Sequence, residues 1–202
     1  ADIKFPAIKD ENGNRVELTK GRYTMILESQ NRDVRKNAFK ALYKEYGNYI
    51  NTLAACYAGS LRADKFYSTA RKFHSSLEAS LSSDNVPVKV YDNLIDTVHK
   101  NLDTLSRYLK LRKKALGLSQ LHMYDLYVPI VSVPPKKYTY EEAKALVLEA
   151  VAPLGKDYCN VIQRAYDSGW IDVCENQGKT SGAYSWGCYS THPYVLLNHN
   201  DN

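Results

Sequence analysis

Apolar side chains recur at three- and four-residue steps through most of the chain up to Ser168. Val34, Ala38, Leu42, Tyr46, Tyr49, Leu53 and Cys56 form one such stripe, and their spacing predicts a long amphipathic helix opening at Asp33. Gly47 and Gly59 weaken it locally without ending the pattern, and helical character resumes from Arg62 to about Phe73. A second stripe, Val90, Leu94, Val98, Leu102, Leu105 and Leu109, predicts another long helix. It begins beside Pro87, a residue the first helical turn accepts, and stops at Gly117. Thr139-x-x-Glu142 is a capping box before Ala143, Leu146, Val147, Ala150 and Val151. A last helix is expected from about Lys156 to Asp167, closed by Ser168-Gly169, and a short one from Thr19 through Glu28, broken by Ser29-Gln30-Asn31. Leu77 to Ser83 reads as a small-residue connection turned at Asp84-Asn85, and Ser119 to Pro135 as irregular chain.

The period changes at the two ends. Ile3-Lys4-Phe5-Pro6 and Arg15-Val16-Glu17-Leu18 flank a turn containing Asn12-Gly13, so a small hairpin is expected there. After Gly169, Ile171 to Cys174 has strand composition and breaks at Asn176-Gln177-Gly178. Gly182 to Tyr189 alternates aromatic with small residues, which suits an extended strand that another backbone approaches. Pro193 opens the apolar run Tyr194 to Leu197, short enough for a strand. The expected fold is mainly α, with a short N-terminal hairpin and a small C-terminal β-sheet. Residues 1–202 are taken as one unit, helical over 1–168 and strand-rich over 169–202, without internal repeat or low-complexity tract.

Composition narrows the function classes. The chain has 202 residues, 44% hydrophobic and 24% charged, enough to bury a core. Its net charge of +5 is scattered over helix faces with no run of five or more like charges, which argues against nucleic acid as a partner. Seventeen tyrosines are spread over many elements rather than interleaved with Lys and Arg on one face. Tyr43, Tyr46, Tyr49 and Tyr57 are expected in the core or half-buried. No apolar run approaches the roughly 18 residues that span a bilayer, so no membrane partner is expected. Cys56, Cys159, Cys174 and Cys188 show no Cys-x-x-Cys spacing and read as buried, reduced thiols of a cytoplasmic protein.

The catalytic constellations are mostly missing. No two of His74, His99, His122, His192 and His199 stand four residues apart, the spacing that places two imidazoles on one helix face toward a metal. There is no Gly-x-Ser-x-Gly elbow, and Gly178, Gly182 and Gly187 precede no helix that would complete a phosphate loop. Glu141-Glu142 falls in a helix first turn, where the macrodipole accounts for it. Two features remain. His192 sits before Pro193 in the strand-rich stretch and reads either as a turn hydrogen-bonder or as a residue facing substrate. Gly182, Ala183, Tyr184 and Ser185 suit a strand edge that receives an extended peptide, or equally a strand buried in its sheet.

GKTSGAYSWGCYSTHPYVLLN resembles the segment just before the zinc helix in the oligoendopeptidase F family, thimet-oligopeptidase-like zinc metallopeptidases. GRYTMILESQNRDVRKNAFKALY, NTLAACYAGSLRADKFYSTARKF, SSLEASLSSDNVPVKVYDNLI and LGLSQLHMYDLYVPIV agree, so the resemblance covers essentially the whole chain. It implies a multi-helical, zincin-like metalloendopeptidase that hydrolyses short peptides. In that family zinc is held by two histidines and a glutamate, and the metal with the motif's Glu activates a water. No His-Glu-x-x-His occurs in this sequence. The chain is therefore expected to be a middle portion, with no catalytic or metal residue of its own and no zinc bound by itself. The remainder of the peptidase, carrying the zinc helix, is its expected partner, together with an oligopeptide substrate. The resemblance tips Gly182, Ala183, Tyr184, Ser185 and His192 toward substrate contact. A stand-alone helical binding or scaffold module without catalysis is the alternative.

Overall fold

The computed structural model describes residues 3–131, 136–176 and 178–199. The expected break at Gln177 and the Pro134-Pro135 end of the irregular stretch lie outside them. The remainder is mainly helical, with two small sheets. Backbone packing divides it into two compact units, Ala1–Phe39 with Tyr127–Asn202, and Lys40–Leu126.

In the first unit the N-terminal hairpin pairs β1 (Ala7–Lys9) with β2 (Arg15–Glu17), Ile8 opposite Val16. The first strand lies later than the expected Ile3–Phe5, because the tight turn fixes where pairing starts. Asp10 accepts the N–H groups of Asn12 and Asn14 at 2.9 and 2.8 Å, and Gly13 takes φ +81°. Thr19 caps α1 (Lys20–Leu27), its hydroxyl accepting from the Arg22 N–H at 3.1 Å. Leu18, Leu27, Val34, Ala38, Val128 and Ala165 form the buried core of this unit. Arg35 is buried beside them, and its guanidinium donates to the carbonyls of Ser29 and Gln30, closing the bend between helices. α7 (Tyr140–Val151) carries the expected capping box and packs on α8 (Lys156–Asp167).

The long stripe from Asp33 folds as two helices, α2 (Arg32–Asn48) and α3 (Ile50–Ala70), broken at Tyr49. The Val90 stripe likewise divides into α5 (Val88–Lys100) and α6 (Leu102–Ala115) at Asn101, whose side-chain amide donates to the Thr97 carbonyl at 2.7 Å. Leu77 to Ser83 is not a connection. Ser76–Ser82 is helical (α4), because Ser75 accepts from the Glu78 N–H at 3.0 Å while Glu78 accepts from the His74 N–H at 2.7 Å. In the second unit α3, α4, α5 and α6 pack successively, each on the next. Arg112, 5% exposed, donates to the Asp125 carbonyl at 2.9 Å, and the Asp125 carboxylate accepts from the His122 N–H at 3.0 Å. This buried pair fixes the turn 123–125 against α6.

Two expectations about side chains are corrected. Tyr43, Tyr49 and Tyr57 are exposed and only Tyr46 is half-buried, since the stripe on α2 and α3 turns just part of its width inward. All four cysteines are free, as expected of reduced thiols, but Cys56, Cys174 and Cys188 are exposed and Cys159 is half-buried.

Candidate functional site

The C-terminal sheet comprises β3 (Ile171–Cys174), β4 (Tyr184–Trp186) and β5 (Tyr194–His199), in the order β3-β5-β4. β3 runs parallel to β5; β4 runs antiparallel, with Tyr184 opposite Leu196, Ser185 opposite Val195 and Trp186 opposite Tyr194. Among the described residues the outer side of β4 carries no further strand.

Which main-chain groups face that open side follows from one hydrogen bond. The Val195 N–H donates to the Trp170 carbonyl at 2.9 Å, so Val195 turns its peptide groups toward β3. Its neighbours Tyr194 and Leu196 then face β4, because successive residues of a strand alternate sides. Their partners Trp186 and Tyr184 spend their N–H and C=O on β5. Ser185 is left with its own pair directed at the open edge.

Side chains alternate between faces in the same way. Tyr184, Trp186, Tyr194 and Leu196 share one face of the sheet, and Ser185 and Val195 the other. The first face is aromatic and open: Tyr184 is 56% exposed, Trp186 72% and Tyr194 56%.

The strand is shorter than the sequence pattern suggested, and Gly182 lies outside it. Gly182 takes φ +102°, a left-handed conformation that favours glycine, and its carbonyl accepts from the Asn198 amide at 2.8 Å. The same amide donates to the Thr180 carbonyl at 3.0 Å. Asn198 thus clamps the turn that leads through Ala183 into β4. Lys179 does comparable work on β3. Its ammonium sits 3.0 Å from the Asp172 carboxylate and donates to the carbonyls of Asp172 and Cys174 at 3.1 and 2.7 Å, with the side chain only 4% exposed. Neither residue has a periodic signature, so pattern reading passes over both. The only sequence cue is a polar residue ending an apolar strand.

His192 is placed apart from Gly182. It precedes β5 beyond the Trp186 end of β4, whereas Gly182 precedes β4 at the Tyr184 end. Its Nδ1 lies 2.8 Å from the Pro193 carbonyl, and since a carbonyl only accepts, that nitrogen carries the hydrogen. The ring stacks on Trp170 at 4.6 Å and 8° and leans on Tyr194 at 4.6 Å. The Arg164 guanidinium lies 5.2 Å from the Trp170 ring. At its far end β5 is anchored to the helices. His199 meets Tyr140 edge-on at 5.4 Å and Tyr140 meets Tyr166 at 6.3 Å, and burial raises both phenols above their ordinary value of 10.0.

Among the described residues no three His, Cys, Asp or Glu side chains converge as a metal site. The residues present therefore do not fit a zinc ion. No helix among them is long and apolar enough to cross a membrane. Among the described residues the arrangement offers an open strand edge at β4, with aromatic side chains on one face of its sheet.

Comparison with known proteins shows the family. The profile of Peptidase family M3 matches residues 25–202. Oligopeptidase PepF of Bacillus subtilis is 50% identical over all 202 residues of the chain, which cover 30% of that protein. An oligoendopeptidase F homolog of Lactococcus lactis is 42% identical over 98% of the chain and 33% of its own length. The chain thus spans about a third of the length of these relatives. The crystal structure of oligoendopeptidase-F from Enterococcus faecium superposes with a TM-score of 0.64 at 40% identity, covering 84% of this chain and 31% of that one. An inhibitor-bound PZ peptidase A shares the fold, with a TM-score of 0.79 over 100% of this chain and 35% of its own, at 17% identity. With the profile covering all but the first residues, this chain belongs to peptidase family M3.

Proposed function

We propose that the chain is a segment of a longer zinc-dependent metalloendopeptidase that hydrolyses short peptides in the cytoplasm. It supplies a helical wall and the strand edge Gly182–Ser185, with His192 beside the Trp186 end. The zinc and its ligands come from the remainder of the polypeptide, and no step of the chemistry is assigned to this chain. One observation carries the reading: the N–H and C=O of Ser185 are left for a side of β4 that no other strand among the described residues occupies. An extended peptide pairs with such an edge through groups that every peptide possesses, which suits an enzyme tolerant of many sequences. Four free thiols, three of them exposed, fit a reducing compartment. The names and folds of the relatives support the peptidase class.

An N-methyl scan of a good oligopeptide substrate tests the pairing on the full-length peptidase. Antiparallel pairing gives the peptide residue opposite Ser185 both hydrogen bonds and its neighbours none on that side. Methylation at that one position, away from the scissile bond, is expected to lower kcat/KM by about 10-fold or more, with both neighbours tolerant. A scan that is flat away from the scissile bond would sink the proposal.

A further inference from the structure

Once register is set, a sheet dictates which side of an added strand meets which side chain. A peptide laid along the open edge of β4 puts the residue opposite Ser185 into the hydrogen-bonded pair. The residues opposite Tyr184 and Trp186 fall into the closely spaced, non-hydrogen-bonded pairs, with Cα atoms about 4.5 Å apart. Their side chains lie on the aromatic face, because parity across the sheet matches that of Tyr184, Trp186 and Tyr194.

Trp186 is the more exposed of the two, at 72%, and a row of rings begins across the strand pair from it. Tyr194 stands directly across the strand pair, His192 closes on Tyr194 at 4.6 Å, and Trp170 stacks on His192 at 4.6 Å. Gly187 follows, and a Cβ there would lie 3.4 Å from the Pro193 Cα, so the chain leaves the strand pressed against the start of β5. Trp186 thus shares a sheet face with Tyr194 of that row and lies on the outer strand, the one an added strand would join. Opposite Ser185 the peptide side chain falls on the other face, beside a small hydroxyl that selects little.

We propose that Trp186 is a specificity-determining residue, favouring a large apolar or aromatic side chain at the peptide position opposite it. The proposal rests on the edge-pairing reading above, and its test is arranged so that the two can fail separately.

Full-length peptidase, with Trp186→Thr and Trp186→Phe, is assayed on peptides in which each position in turn is Ala or Phe. Both replacements keep β propensity at the site. In the parent, one position next to the N-methyl-sensitive one is expected to favour Phe over Ala by about 10-fold in kcat/KM. Trp186→Thr should bring that ratio to about 1 while turnover of the Ala peptide stays within about 3-fold, and Trp186→Phe should keep most of the preference. A preference unchanged in both variants overturns the proposal. Equal loss for Phe and Ala peptides also overturns it, since Trp186 would then be a packing residue covered by another part of the polypeptide. Should Trp186→Thr not fold, Trp186→Val, which also keeps β propensity while removing the ring, takes its place: the Phe-over-Ala ratio is expected to fall toward 1, and an unchanged ratio or an equal loss for both peptides overturns the proposal. A flat N-methyl scan removes the edge reading itself, whatever Trp186 does.

Discussion

Ala183 immediately precedes β4, and the proposed pairing extends the receiving edge to its N–H. Proline there removes that donor and sets a ring against an incoming strand. In the full-length enzyme, Ala183→Pro is expected to lower kcat/KM by about 10-fold or more while zinc content by metal analysis stays at the parent level. Full activity, or activity lost only in step with zinc, would make the stretch scaffold. Glu142 gives a prediction of a different kind. Its carboxylate accepts the Thr139 N–H at 2.8 Å and the Thr139 hydroxyl at 2.9 Å, and these bonds hold its pKa below the ordinary 4.5. A carboxyl depressed by folding stabilises the fold above its unfolded value and loses that contribution as pH falls through the folded one. Urea titrations of the chain and of Glu142→Gln should therefore show a gap above pH 4.5 that closes below it. A gap independent of pH would mean the box contributes nothing through its charge.

Elements with a cap were legible in the sequence, and interruptions that preserved the apolar face were not. Thr19, the Thr139-x-x-Glu142 box and the Ser168-Gly169 stop each located a helix end within a residue or two. The break at Asn101 left no trace, because Val98, Leu102 and Leu105 keep steps of four and three across it. Periodicity reports a face, and two consecutive helices that share a face read as one. α4 was hidden for the opposite reason: its serines dilute the apolar signal, and only the cap pair Ser75 and Glu78 marked it. At the site, alternation identified an extended segment near Gly182–Ser185. The left-handed turn at Gly182 and the Asn198 clamp depend on contacts 16 residues apart, which no local pattern contains. Periodicity also says nothing about what covers a stripe. On α5, Val90, Leu94 and Val98 are 55%, 62% and 51% exposed, so their apolar row meets little of the chain itself. Leu94→Lys should then change the unfolding free energy of the 202-residue chain by no more than about 0.5 kcal/mol. It should also reduce any self-association seen by sedimentation. A loss of several kcal/mol would place Leu94 in a packed core.

At the scale of the whole molecule, the described residues present an open strand edge on β4 and no converging group of metal-ligating side chains. Zinc needs three or four converging donors, and an i, i+4 histidine pair is the economical way for a helix to supply two of them. Here His192 is committed through Nδ1 to Pro193, and His199 is wedged against Tyr140 with Nε2 buried and unpartnered. His74 and His99 are exposed on separate helices or their connections. None of these, with any Cys, Asp or Glu among the described residues, forms a group of three. The chain spans about a third of its relatives' length, and the function proposed above assigns the zinc ligands to the remainder of the polypeptide. On the proposed reading, the purified 202-residue chain is expected to retain no stoichiometric zinc after dialysis and to leave a quenched fluorescent peptide uncut, while the full-length enzyme binds zinc and cleaves the peptide. One zinc per chain surviving dialysis, or cleavage abolished by a chelator and restored by zinc, would show that the 202 residues assemble a metal site of their own and that the division of labour drawn here is wrong.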